Sequence, residues 1–236
     1  MPRVNLADVA PPPPSPVPPT LLDDAVTLTG ALAALAEACP DFPCLTVLDR
    51  HRHEEIVSFR ELWQEARTVQ ARLGEAGVTT GDVVLLVLPT GPALLAGYFG
   101  AMLAGCVPGL MATPSNRVAD PRVYATRVAM ILENAGARVL YASDDVARML
   151  AGAALPSLAS VQVLTPGGTA AGEAGPRAEP TPETVATVQY SSGSTGIPKG
   201  ILLTHEAMLN NIRAVRDGLG LTPRDVSVNW IPLYHD

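Results

Sequence analysis

Gln189-Tyr190-Ser191-Ser192-Gly193-Ser194-Thr195-Gly196-Ile197-Pro198-Lys199-Gly200 is the stretch around which the chain is organised. Its last ten residues hold three glycines, four hydroxyl side chains and one lysine, directly after an apolar run that reads as a strand. Those are the parts of a phosphate cradle. Glycine lets a turn aim several backbone N–H groups inward and lets a ligand approach the chain closely. Hydroxyls add donors, and Lys199 adds a compact positive charge. Pro198 biases Ile197 away from the right-handed helical region, so the chain is expected to continue extended through Gly200-Ile201-Leu202-Leu203. The pattern is not a Walker loop, because the neighbours of Lys199 are Pro198 and Gly200, where a Walker lysine has glycine before and Ser or Thr after. A polar hairpin loop without a ligand is the alternative reading.

Working upstream, Val83 to Leu88 is an unbroken run of β-branched residues and leucine, as a strand covered on both faces requires. An apolar helix follows over Pro92 to Leu103, and Gly97, Gly100 and Ala104 give it a small-residue side suited to close packing on a sheet. Ser58-Phe59-Arg60-Glu61 is a capping box opening a helix that runs to Gly77. Before it, Leu45 to Leu48 and Glu55 to Val57 read as a hairpin, and Thr29 to Ala38 as a helix. After Leu103 the pattern predicts a strand over 107–111, a helix over 122–134, a strand over 139–142, a helix over 144–150 and a strand over 161–164. Thr165 to Glu183 lacks periodicity and reads as a flexible surface loop. Thr204 is the expected N-cap of a helix ending near Gly218 or Gly220, and Asp225 to Trp230 reads as a last strand. Alternating strands and helices of these lengths define an α/β fold with mainly parallel sheets flanked by helices.

Composition narrows the function classes. The 236 residues are 47% hydrophobic and 17% charged with a net charge of −7, enough for a sizeable core and without a basic cluster for nucleic acid. Cys39, Cys44 and Cys106 have no C-x-x-C spacing, so neither a disulfide framework nor a zinc site is indicated and a reducing cytoplasm fits. No apolar run is long enough for a membrane span. His51 and His53 could ligate a metal from a strand or be exposed turn residues, and no third ligand lies nearby. Residues 1–20, dominated by proline, are expected to form an extended leader, either a solvated tail or a ligand for a proline-binding domain.

The glycine-rich stretch resembles the phosphate loop of the adenylate-forming enzymes, the superfamily of acyl-CoA synthetases, nonribosomal peptide adenylation domains and luciferases. Trp230-Ile231-Pro232-Leu233-Tyr234-His235-Asp236 is similar to the W-x-P-x-Y-H-D segment of its fatty acyl-AMP ligase branch. Thr204-His205 sits where that family commonly has Ser-His or Thr-His, and the segments Phe59 to Asp82 and Tyr98 to Pro108 carry a further, looser likeness.

The resemblance implies that residues 21–236 are an incomplete large N-terminal domain of an adenylate-forming enzyme, with the C-terminal lid domain absent and this chain alone giving no ATP–pyrophosphate exchange. It implies ATP and Mg²⁺ as cofactors, a fatty or other carboxylic acid as substrate, and an acyl carrier protein or CoA as acceptor. Ser191, Ser192, Gly193, Ser194, Thr195, Gly196, Lys199 and Gly200 would hold the β- and γ-phosphates, and Lys199 and His235 would be catalytic, His235 beside the acyl carboxylate. No metal ligand is assigned. Trp230 and Tyr234 would wall the acyl pocket, with a core role for Trp230 as the alternative. His205, in the first turn of the helix after the loop, would touch substrate or phosphate or make a structural hydrogen bond. A non-catalytic nucleotide-binding fragment is the reading from another class.

Overall fold

The computed structural model describes residues 17–18, 20–48, 53–114, 120–176, 178–191 and 199–234. A short helix α1 (Leu21–Asp24) and α2 (Leu28–Ala38) precede an antiparallel hairpin of β1 (Pro43–Leu48) and β2 (Glu54–Ser58). Then come α3 (Phe59–Glu75), β3 (Val83–Val87), α4 (Pro92–Leu103), β4 (Val107–Leu110), α5 (Pro121–Ala135), β5 (Val139–Ala142), α6 (Asp144–Ala153) and β6 (Gln162–Leu164). The chain ends its regular structure with β7 (Val185–Ser191), β8 (Lys199–Thr204) and α7 (His205–Leu219). Strands β3 to β8 form one sheet in the order β6-β5-β3-β4-β7-β8, parallel throughout except for β8.

The sheet is filled from both sides, as the apolar run in β3 predicts. Val84 and Leu86 face a core with α3 and α4, whereas Leu85 and Val87 face one with α5 and α6. Each such side chain is fully buried, and burial stabilises by about 1.5–3 kcal/mol per side chain. Helix α3 starts at the expected capping box: Ser58 Oγ accepts from the Glu61 amide, and the Glu61 carboxylate accepts from the Ser58 amide. The small side of α4 is used for close approach. A Cβ on Gly100 would lie 2.7 Å from the Ala66 carbonyl of α3, and one on Gly97 would lie 2.6 Å from the Tyr141 ring of β5.

A third, smaller core joins α2, α4, β7 and α7 through Leu28, Met102, Ala186 and Leu209. His205 belongs to it. The Leu28 amide, at the first turn of α2, donates to His205 Nδ1 at 3.1 Å, and the His205 amide donates to the Thr184 carbonyl. Of its two sequence readings, the structural hydrogen bond is the one found. Arg213 of α7 completes this layer by donating to the carbonyls of Leu22 and Ala25.

Two expectations need correction. Residues 165–176 and 178 carry no helix or strand and lie at the surface, as expected, but they are anchored to the body of the fold. Arg72 donates to the Thr165 carbonyl at 2.6 Å, and Glu75 accepts from the Ala171 and Gly172 amides at 2.7 and 3.1 Å. Gln70 donates to the Pro176 carbonyl, and the Ala178 amide donates to the carbonyl of Leu103. The polar face of α3 therefore binds loop backbone, which side-chain periodicity does not register. The second correction concerns Asp225 to Trp230, which is not a strand. Asp225 accepts from the amide and hydroxyl of Thr222, a local turn, and Val226, Val228 and Trp230 are exposed with no strand beside them among the described residues. The edge strand β8 likewise exposes Ile201 and Leu202.

Burial lowers the pKa of His205 below 6.5, so the fold favours its neutral form. Its contribution to stability is fully present above pH 6.5 and is lost as pH falls from there through the lowered folded-state value. Urea unfolding between pH 5 and 8 should show that loss. His205→Leu should remove the dependence and destabilise the protein by about 1–3 kcal/mol at pH 8, because the Leu28 amide loses its acceptor.

Candidate active site

All parallel strands point their carboxyl ends to one edge, and β3 defines a crevice there. Its connection passes to the face of α3 and α4, whereas its neighbours β4 and β5 lead to α5 and α6 on the opposite face. Divergent connections leave a gap over the strand ends, the usual ligand position in an open α/β sheet.

The glycine-rich stretch reaches this edge from β7. Strands β7 and β8 pair in antiparallel register from Val185 opposite Thr204 to Ser191 opposite Lys199, so residues 192–198 connect them. The expected extension after Pro198 is therefore present, and Thr204 caps α7 by accepting from the Ala207 amide. Lys199 is exposed at the first position of β8. Ser192, Gly193, Ser194, Thr195, Gly196 and His235 lie outside the described residues. Gly200 has a packing reason of its own. It pairs with Tyr190, and a Cβ there would lie 2.9 Å from Val188 Cγ2 and 3.4 Å from Tyr190 Cε1. The same ring reaches across β7 to Gly109 of β4, where a Cβ would lie 3.0 Å from Tyr190 Cε2. Two glycines thus let Tyr190 lie along the sheet directly before the loop.

The other motif returns to the same edge. The Leu233 amide donates to Thr90 Oγ1 at 3.2 Å, in the connection between β3 and α4. Tyr234 stands near Tyr124 of α5, whose hydroxyl donates to the Ala112 carbonyl at 2.6 Å. Burial pushes the Tyr124 phenol up, Arg127 opposes the shift and Tyr234 reinforces it. Trp230 is 85% exposed among the described residues. Thr90 and Tyr124 were not singled out in the sequence. The available signal was position alone: Thr90 directly follows the buried strand and precedes the helix-starting Pro92.

Other chemistry is less well supplied. A cavity of about 210 Å³ lined by Asp82, Arg138, Ser160 and Gln162 opens at the amino ends of β3, β5 and β6, away from both motifs. The Cys106 thiol is pushed up to about 12, first by burial and then by Asp82, and the Cys44 thiol to about 11, chiefly by burial, so neither is a nucleophile at neutral pH. Among the described residues no three His, Cys, Asp or Glu side chains could hold a metal, and no helix is long and apolar enough to cross a membrane.

An α/β sheet with a glycine-rich connection and a second motif at its carboxyl edge is an arrangement that suits a nucleotide. Residues 32–236 match the family model described as AMP-binding enzyme, and the chain belongs to that family. Over 187 residues it is 34% identical to a Caulobacter vibrioides protein provisionally named an acyl-CoA synthetase, a match covering 77% of this chain and 32% of that protein. Over 230 residues it is 28% identical to the long-chain-fatty-acid–AMP ligase FadD28 of Mycobacterium tuberculosis, covering 89% of this chain and 38% of that enzyme. A solved structure from a study of fatty acyl-adenylate ligases of E. coli and L. pneumophila superposes with a TM-score of 0.78 at 26% identity, covering 90% of this chain and 38% of that one. These likenesses are to the fatty acyl-AMP ligase type of the adenylate-forming superfamily. The chain spans about a third to two fifths of the length of these relatives.

The packing around Tyr190 is testable by stability. Gly200→Ala should destabilise the protein by about 1–3 kcal/mol, the usual effect of overpacking a filled site. Gly218→Ala, on an open face of α7, should be neutral or stabilising by up to about 1 kcal/mol. Urea midpoints of the two variants decide the comparison.

Proposed function

We propose that the chain carries the phosphate-binding and part of the acyl-binding half of a ligase that activates a fatty or other carboxylic acid with ATP. A carboxylate oxygen attacks the α-phosphorus, pyrophosphate leaves, and an acyl-adenylate forms. The acyl group then passes to a thiol, with AMP as the leaving group. The observation that carries the reading is that the ends of the two strands flanking the glycine-rich stretch, Ser191 and Lys199, lie at the same edge of the sheet as the Leu233–Thr90 contact.

In this reading Ser191, Ser192, Gly193, Ser194, Thr195, Gly196 and Gly200 form the loop that receives the β- and γ-phosphates. Lys199, exposed at the loop's exit, neutralises their charge, and His235 lies beside the carboxylate. Two anions must meet, so the protein's contribution is positioning and preorganised positive charge. Mg²⁺ enters only as the companion ion of the nucleotide. The described residues offer no cluster to hold it, and no step is assigned to it.

The acceptor proposed is the phosphopantetheine thiol of an acyl carrier protein. Support comes from the likeness to medium-chain-fatty-acid–[acyl-carrier-protein] ligases, among them TtuA of Teredinibacter turnerae at 27% identity. CoA is the second reading, favoured by the likeness to the Caulobacter protein. The reaction is assigned to the cytoplasm.

Fatty-acid-dependent ATP–pyrophosphate exchange, measured in a catalytically complete enzyme bearing this sequence, tests the proposal. Lys199→Ala should lower the rate about 10²- to 10³-fold, as the loss of one preorganised donor does. An unchanged rate removes Lys199 from the mechanism. Product analysis with carrier protein and CoA offered together separates the two acceptors.

A further inference from the structure

We infer that Thr90 is a positioning residue, which ties the Trp230 to Tyr234 segment over the carboxyl end of β3 and so sets the acyl side of the site. The inference rests on the proposed reaction for its substrate, though not for its geometry.

Among the described residues apolar packing does little to hold the segment, and the Ile231 amide donates only locally, to Asn229 Oδ1. Trp230 is 85% exposed, Ile231 49% and Leu233 39%, so apolar burial contributes little to its placement. A single hydrogen bond therefore matters more here than in a core. The Thr90 hydroxyl supplies one by accepting from the Leu233 amide, which stands 143 residues away in sequence. Its location is also particular. Thr90 follows the strand whose connection diverges from those of both neighbours, so the tether starts on one wall of the crevice. Tyr234, the next residue after Leu233, acts electrostatically on Tyr124, whose helix α5 packs on the opposite face of the sheet. The segment thus runs over the carboxyl end of β3. Its described tether is to Thr90 and not to the β7–β8 strands, so it bears on the acid's position and not on the phosphate cradle.

Thr90→Ala removes the acceptor, whereas Thr90→Ser keeps it. Neither changes buried surface, because Thr90 is exposed. Amide hydrogen exchange on the 236-residue chain reads the tether directly. The Leu233 amide should exchange about fivefold faster in Thr90→Ala, the effect of losing one ordinary hydrogen bond, and return to the parent rate in Thr90→Ser. Equal rates in all three proteins overturn the inference.

The substrate half is read by titrating the same three proteins separately with dodecanoate and with ATP, following tryptophan emission. Thr90→Ala should weaken dodecanoate binding severalfold and leave ATP binding unchanged, with Thr90→Ser restoring the parent value. Equal loss of both ligands marks a general structural defect and overturns the positioning role. Dodecanoate affinity that does not follow the tether overturns it too. Failure of the parent chain to bind either ligand overturns this half of the inference, while the exchange result still decides the tether and pyrophosphate exchange in the complete enzyme decides the proposed function.

Discussion

Everything at the functional edge depends on β3 being buried from both sides. Val84 and Leu86 hold α3 and α4 on one face, and Leu85 and Val87 hold α5 and α6 on the other. A strand fixed this firmly can send its connection one way while its neighbours send theirs the other, and the gap between those connections is the crevice. Thr90 and the incoming Leu233 meet directly above it. The ladder of β7 and β8 brings the glycine-rich stretch to the same edge from the far side of β4.

Placement of the loop is in turn a packing problem. Val188 and Tyr190 of β7 crowd both neighbouring strands, and a Cβ would meet a Val188 methyl at 2.9 Å at either Gly109 or Gly200. Gly200 had been read as a phosphate contact, since glycine-rich loops bind anions through backbone amides. The contacts around it show a second, independent demand for glycine. A motif glycine can therefore be required by the strand that presents a loop as well as by the ligand the loop receives.

Much of the fold was legible because the deciding signals are local. The apolar run 83–88, the capping box at Ser58, the proline-initiated α4 and the extended exit after Pro198 each follow from a few neighbouring residues. What was not legible depends on distant partners or on backbone. The loop over 165–176 is bound through its carbonyls and amides to side chains of α3, so its own composition looks unstructured. Asp225 to Trp230 alternates like a strand, but the turn that Asp225 closes and the lack of an adjacent strand among the described residues leave it irregular and exposed. His205 carried two readings until its contact with the start of α2 decided between them. For the candidate site, both motifs were visible in the sequence, whereas their convergence and the part of Thr90 in it needed the fold.

The central claim is that anionic ligand binds at the carboxyl edge of the sheet. Mapping backbone amide shifts while the chain is titrated with ATP tests it most directly. The account predicts the largest shifts within residues 191–200, with smaller ones at 88–92 and 230–234. Shifts gathered instead around Asp82, Arg138 and Gln162, at the cavity on the opposite edge, would contradict it, as would no shifts at all.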